Sequence, residues 1–131
     1  MIEKGEKDPG KFIIRVYDSI DFKYSYEFPF EHSLKDEEQF VEIEFGRYSG
    51  PLFFLVTDKN QILKANFKSK IEISVVQEAD DTVKEIQFSP NMQWALNIFK
   101  DEDEKAPILT SLISSKRFEL PGVTRNRKFY R

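Results

Sequence analysis

The sequence predicts a soluble all-β protein, an antiparallel β-sandwich of jelly-roll or Greek-key type, with a small β-barrel as the alternative. Short apolar segments recur between turn residues at intervals of about 8–12 residues, a spacing typical of sandwiches and barrels. Residues 22–30 place aromatic side chains at every second position, which is the period of a strand. No long segment has the apolar spacing of an amphipathic helix.

The segment 50–67 predicts the β-hairpin around which the fold is organised. Its first arm, residues 52–56, is an unbroken run of five apolar residues, a pattern typical of a strand covered on both faces. Asp58 and Asn60 favour the turn that follows, because their short side chains bond to nearby backbone and tolerate left-handed conformations. The return arm, residues 61–67, alternates only in part. We therefore expect the first arm at the centre of a sheet and the second arm nearer an edge.

The other regular strands are predicted from alternation of apolar and polar residues. They are residues 11–17, 22–30, 40–45, 71–76 and 83–88. In the third of these, Val41, Ile43 and Phe45 are expected to point inward and the glutamates between them outward. Residues 33–37 have the pattern of one capped helical turn.

Two later segments are less regular. Residues 94–99 fit a strand or a helix. We favour a strand because Trp94, Leu96 and Ile98 stand at every second position, with the polar Asn97 between the last two. Residues 108–120 combine apolar pairs that fit a helix with an extended stretch at 118–120. Pro121 and Gly122 then mark a turn.

The chain has 131 residues, which suits one domain with its own core. We expect residues 1–10 to form a flexible N-terminal arm, residues 11–122 the β-sandwich domain, and residues 123–131 a basic C-terminal strand or tail. The first residues lack the apolar core of a signal peptide, and no apolar run reaches the ~20 residues that span a bilayer. These features do not identify the cellular compartment, and a cytoplasmic location is the default expectation.

Composition excludes several kinds of site. The chain has no cysteine, so disulfides, zinc–thiolate sites and cysteine nucleophiles are excluded. Net charge is −3 but uneven. Residues 114–131 contain six basic residues and one acidic residue, a net charge of +5, which leaves −8 on the rest of the chain. This asymmetry is the strongest charge feature of the sequence.

No motif indicates catalysis, and we expect a protein that is not an enzyme and has no catalytic residue, cofactor or metal site. His32 is the only histidine, and no G-x-S-x-G nucleophile motif accompanies it. The acidic runs at 80–81 and 101–104 lack the D-x-D-x-D-G pattern of a calcium loop. Charged hairpin tips that keep a sheet edge soluble explain these runs equally well.

Aromatic residues are the first candidates for ligand binding. Tyr24, Tyr26, Tyr48 and Trp94 have the ring faces needed to stack on a sugar or a base. A sandwich also needs an apolar face of this kind for its core, and the charges opposite the tyrosines cancel. The core interpretation is therefore preferred, and ligand stacking remains the alternative.

The C-terminal segment is the first candidate for partner binding. Its candidate contact residues are Arg125, Arg127, Lys128, Phe129, Tyr130 and Arg131. Cations with adjacent aromatics suit an acidic protein surface, addition of a strand to a neighbouring sheet, or phosphates and bases. The acidic remainder of the chain would repel a nucleic-acid backbone, so a protein partner or self-association is favoured over nucleic acid.

Three functional hypotheses follow. The first is a non-catalytic protein-interaction or structural module within a larger protein assembly. The second is a β domain that binds carbohydrate or another small ligand. The third is single-stranded nucleic-acid binding through the basic C-terminal segment.

Overall fold

The described part of the chain is all-β and consists of three antiparallel sheets. A computed structural model describes residues 2–4, 10–17, 24–34, 37–44, 52–67, 71–101 and 105–121. Within these residues there are eleven strands and no α-helix. The predicted fold class is confirmed.

Each sheet is built from one continuous segment of the chain. Sheet I contains β1 (Ile2–Lys4), β2 (Lys11–Tyr17) and β3 (Tyr24–Glu31). Sheet II contains β4 (Phe40–Glu44), β5 (Leu52–Thr57), β6 (Ile62–Phe67) and β7 (Ile71–Gln77). Sheet III contains β8 (Val83–Phe88), β9 (Trp94–Phe99), β10 (Ile108–Ser111) and β11 (Arg117–Glu119).

Every hydrogen-bonded pair of strands in the described chain joins sequence neighbours. The sheets are therefore meanders, and the Greek-key crossover is not among their pairings. Within the described residues all three sheets are open, with an edge strand on each side. The alternative of a closed small barrel does not describe this arrangement.

Sheet II lies between two cores, one on each of its faces. Neighbouring side chains of a strand point to opposite faces. Leu55 and Leu63 accordingly pack with residues of sheet I, while Phe54 and Ile62 pack with residues of sheet III. Leu55, Leu63 and Ile62 have no solvent-exposed surface. The unbroken apolar run of β5 thus forms a strand covered on both faces, as its sequence predicts.

The position expected for the return arm is wrong. Strand β6 pairs with both β5 and β7, so it lies inside sheet II rather than at an edge. Ala65 in this strand is fully buried beside Leu63. Lys64, which breaks the apolar pattern, is only half-buried and lies at the open end of the interface with sheet III.

Aromatic rings form the interface between sheets I and II. The rings of Phe12 and Phe30 stack with their centroids 5.4 Å apart. The Phe40 ring meets Phe12 edge-on at 4.9 Å. Such offset and edge-on contacts are the favourable geometries for aromatic pairs, so the aromatic-rich composition is used here for packing.

Buried polar side chains connect sheets II and III. Gln77 of β7, Asn97 of β9 and Thr110 of β10 are buried and hydrogen-bonded to one another. The Gln77 amide nitrogen also donates to the Asn60 carbonyl at 3.2 Å. Because hydrogen bonds are directional, this group of buried side chains fixes how the two sheets are aligned.

The structure confirms one local prediction of secondary structure and corrects two others. Residues 94–99 form a strand, as favoured. Residues 108–120 form β10, a turn and β11 rather than a helix. Ile2–Lys4, within the expected N-terminal arm, pairs with β2 as strand β1. No helix in the described residues is long and apolar enough to cross a membrane.

Candidate functional site

The candidate site is the outer edge of sheet III, formed by strand β11. Its side chains, Arg117, Phe118 and Glu119, are all exposed. Among the described strands, β11 pairs with β10 alone. We call these three residues, together with the neighbouring Trp94, the β11 edge.

A tight turn sets the direction in which β11 leaves β10. The Ser111 hydroxyl oxygen accepts hydrogen bonds from the Ile113 and Ser114 amides at 3.3 and 3.1 Å. The Ser111 amide donates to the Lys116 carbonyl at 2.8 Å and closes the turn. Ser115 adopts a left-handed backbone with φ of 64°, which reverses the chain within a few residues.

The register of β11 determines which backbone groups face outward. Hydrogen bonds from Ser111 to Lys116 and from Leu120 to Pro107 mark pairs that bond inward to β10. Inward and outward positions alternate in an antiparallel ladder. The backbone N–H and C=O groups of Arg117 and Glu119 therefore point away from sheet III.

The aromatic part of the β11 edge is a ring pair. Phe118 is 46% exposed, and its ring meets Trp94 edge-on with centroids 6.0 Å apart. Trp94 is half-buried, whereas Leu96 and Ile98 on the same face of β9 are buried. Trp94 thus packs as expected on one side and leaves part of its ring accessible beside Phe118.

The other edges of sheets II and III are irregular, and β11 is not. Register shifts interrupt the pairings of β4, β7 and β8. Such bulges twist an edge and discourage further strand pairing. The pairing of β11 with β10 runs without a shift, so β11 presents a regular edge.

A charged group lies near the inner side of this edge. Burial raises the pKa of the Asp80 carboxyl, but hydrogen bonds from the Thr82 hydroxyl and amide, together with the positive charges of Lys105 and Arg117, outweigh this effect. The net result is an Asp80 pKa below its usual value. Its Oδ1 accepts from the Thr82 hydroxyl at 2.5 Å and from the Thr82 amide at 2.9 Å.

A small cleft opens between sheets II and III. It has a volume of about 220 Å³, and its wall combines Phe54 and Lys64 of sheet II with Met92 and Ile113 from the turns that connect the strands of sheet III. The Lys64 ammonium donates to the Ile113 carbonyl at 3.3 Å and bridges the cleft. This volume lies below the ~300–1,000 Å³ of typical ligand pockets.

The only histidine of the chain belongs to a polar cluster beside sheet II. Its Nε2 lies 3.2 Å from the Gln61 amide oxygen. Nearby, the Thr57 hydroxyl donates to the buried Glu38 carboxylate at 2.5 Å. It also accepts a hydrogen bond from the backbone N–H of Gln61 at 3.1 Å. These bonds join the β5–β6 turn to the segment before β4. Across the described ranges, no group of three or more His, Asp or Glu side chains is placed to hold a metal ion.

The structure brings only one of the sequence-predicted site residues into the β11 edge, namely Trp94. Tyr24 and Tyr26 lie in β3 opposite Tyr17 and Val16, and their side chains lie outside the described structure. Tyr48 and all six candidate contact residues between 125 and 131, including Phe129 and Tyr130, lie outside the described residues.

Sequence reasoning missed Phe118 as a site residue. The sequence shows an aromatic residue between opposite charges, Arg117-Phe118-Glu119, just before a Pro-Gly turn. Alternating strands of this kind usually have a core face, so the pattern alone does not reveal that all three side chains are exposed.

Comparison with known proteins finds no protein-family model, no curated protein and no solved structure that matches the chain.

Proposed function

We propose that this protein is a non-catalytic interaction module that binds an extended segment of a protein partner along β11. The observation that carries the proposal is the regular β11 edge with the exposed Phe118 ring at its centre. In this mode of recognition, backbone hydrogen bonds supply affinity and side-chain contacts supply specificity.

The backbone of β11 suits strand addition. Arg117 and Glu119 direct their N–H and C=O groups outward, as the inward bonds of Lys116 and Leu120 imply. An added strand would satisfy these groups with a ladder like the one between β10 and β11. It would also extend sheet III without changing the packing of its core.

The aromatic pair suits an apolar side chain of the added segment. Phe118 and Trp94 lie on the face of sheet III that points away from sheet II, next to Leu109. Exposed aromatic rings with little conformational freedom are common anchors in protein interfaces. The bound segment would place every second side chain against these rings.

The proposal is tested with a displayed library of random peptides selected on the immobilised chain at low surface density. Arg117→Pro removes one outward N–H, and Arg117→Ala is the matched control because it removes the side chain and keeps the N–H. We expect enriched peptides to alternate apolar and polar residues and to lose about tenfold or more in affinity on Arg117→Pro.

The control variant should bind those peptides almost as well as the original chain. Hydrogen exchange supplies a second readout, because the amides of Arg117 and Glu119 should become protected when a peptide binds. Failure to enrich any peptide, or binding that Arg117→Pro leaves unchanged, would contradict strand addition at β11.

A further inference from the structure

We infer that the segment received by β11 is the β11 strand of a second copy of this chain. The two strands pair antiparallel about a two-fold axis that passes beside Phe118. This inference rests on the proposed function and names its partner. It is carried by three properties of the same three residues: backbone direction, charge order and ring position.

The backbone groups match in this register. A two-fold axis beside Phe118 places Arg117 opposite Glu119 of the second copy, and Glu119 opposite Arg117. Both of these residues direct their backbone groups outward, so each such pair forms the closely spaced hydrogen bonds of an antiparallel ladder, about four bonds in all. A register shifted by one residue would set outward groups against inward ones.

The charges also match in this register. Arg117 and Glu119 occupy the same face of β11, because they are two residues apart. The symmetric pairing therefore sets a cation opposite an anion on both sides of the axis. Opposite charges directly across a ladder are favourable, and like charges there are unfavourable. The order Arg-Phe-Glu is complementary to itself when it is read antiparallel.

The rings meet at the axis. Phe118 bonds inward to β10, so across the new ladder it faces its copy in a pair without hydrogen bonds. In such pairs the strands approach most closely, with Cα atoms about 4.5 Å apart. The exposed Phe118 ring then packs on its copy, and Trp94 at 6.0 Å extends the cluster on both sides.

The assembly ends at two copies. Pro121 occupies the next outward position after Glu119, and it has no N–H to continue the ladder. The opposite edge of sheet III, strand β8, has a register shift between Val83 and Glu85. A two-fold pairing uses the same edge of both copies, so the described strands of this sheet leave no regular edge to extend it.

The test is sedimentation equilibrium of the full chain from about 1 μM to about 1 mM, since contacts this small give weak association. Arg117→Glu and Glu119→Arg each set like charges opposite one another in the symmetric pairing. The double variant Arg117→Glu/Glu119→Arg restores opposite charges in reversed order and is the matched control.

We expect the original chain and the double variant to dimerise with similar dissociation constants. Each single variant should weaken the dimer by about tenfold or more. A mixture of the two single variants should form a heterodimer, because one strand is then wholly anionic and the other cationic at these positions. A variant that is merely unfolded could not be rescued by its partner.

The results separate this inference from the proposed function. A chain that stays monomeric to about 1 mM, or a dimer insensitive to both single variants, overturns self-pairing. If the same monomeric chain binds selected peptides in a manner that Arg117→Pro abolishes, strand addition at β11 stands and only the identity of the partner is wrong. If no peptide binds there either, both proposals fail.

Discussion

The side-chain amides of Gln77 and Asn97 form a reciprocal pair across the interface of sheets II and III. Each amide nitrogen donates to the oxygen of the other at 2.8 Å. Both side chains are buried, and the Thr110 hydroxyl donates to the Gln77 oxygen at 2.9 Å. Two polar groups are thus held inside an otherwise apolar interface because they satisfy each other.

Replacing one member of this pair should cost much more than its hydrogen bonds are worth. Asn97→Leu leaves the buried Gln77 amide without its reciprocal partner, and we expect a loss of about 3 kcal/mol in the free energy of unfolding. Urea denaturation measures this loss. Gln39→Leu, at an exposed amide, should change stability by less than about 0.5 kcal/mol. A triple variant Gln77→Leu/Asn97→Leu/Thr110→Val, which also removes the Thr110 hydroxyl that bonds to both amides, should be no less stable than Asn97→Leu, and a much larger loss would contradict the account.

Thr57 should tolerate serine far better than valine. Its hydroxyl donates to Glu38 at 2.5 Å and accepts from the Lys59 and Gln61 amides at 3.3 and 3.1 Å. Thr57→Val keeps the side-chain shape but removes these bonds, so we expect a loss of about 2–3 kcal/mol. Thr57→Ser keeps the hydroxyl and should lose about 1 kcal/mol or less. Equal losses for both variants in thermal or urea unfolding would show that packing, not hydrogen bonding, sets the role of Thr57.

Adjacent residues of β6 should be equally sensitive, because both faces of sheet II are covered. Ile62 packs toward sheet III and Leu63 toward sheet I, and both are fully buried. Ile62→Ala and Leu63→Ala should each lower the free energy of unfolding by about 2–5 kcal/mol. Ile113→Ala, at a side chain that is 65% exposed, is the control with a change within about 0.5 kcal/mol. A negligible loss at either core position would mean that one face of sheet II is open to solvent.

The Asp80 carboxylate should make stability depend on acid. Its folded-state pKa lies below the unfolded value of about 3.9, so its contribution is present above about pH 4 and is lost as the pH falls through the folded-state pKa. Asp80→Asn removes the charge that Thr82 stabilises, and we expect a loss of about 1 kcal/mol near pH 7. Urea denaturation between about pH 2 and pH 7 should show that the loss shrinks with acid.

The neighbouring Asp81 provides the control for this pH series. Its side chain is exposed and makes no hydrogen bond with another described residue. Asp81→Asn should therefore change stability little at any pH in the series. A gap between Asp80→Asn and the original chain that stays constant down to about pH 2 would contradict a role for the ionised Asp80 carboxylate.

Strand positions could be predicted because alternation and turn residues are local properties. The apolar run of β5 and the turn residue Asn60 behave as their chemistry indicates. Asn60 adopts a left-handed backbone with φ of 66°, and its amide donates to the Asp80 and Val83 carbonyls at 3.1 and 3.2 Å. The side chain that permits the turn therefore also attaches the hairpin to the β7–β8 connection.

The face of a strand on which a side chain lies is harder to predict where a β-bulge interrupts the strand. Strict alternation placed Val41 and Ile43 on the same inward face of β4. The pairing with β5 shifts register between Phe40 and Glu42, so Phe40 and Ile43 face the core and Val41 is 54% exposed. A bulge adds one residue to a strand and reverses the alternation beyond it. No single residue type marks that insertion in this sequence.

The site could be predicted only in part, because exposure depends on which strand ends a sheet. The sequence predicts Trp94 as a candidate because it is aromatic, and the structure shows that its ring contacts Phe118. The register of β11, its regular edge and its outward backbone groups arise from pairing with β10. Pairing of this kind is a tertiary property that composition and periodicity do not contain.

The assignment of each sheet to one continuous segment has a consequence for synthesis. Chains emerge from the ribosome in sequence order, and early segments fold as units when their contacts are complete. The core between sheets I and II uses residues up to Ile73, so it can close before any strand of sheet III has emerged from the ribosome. Sheet II then presents Phe54, Val56 and Ile62 as an apolar surface until β8–β10 arrive to cover it. During that interval the apolar surface is open to contacts with other chains, and a pause in synthesis that holds β8–β10 inside the ribosome would prolong its exposure.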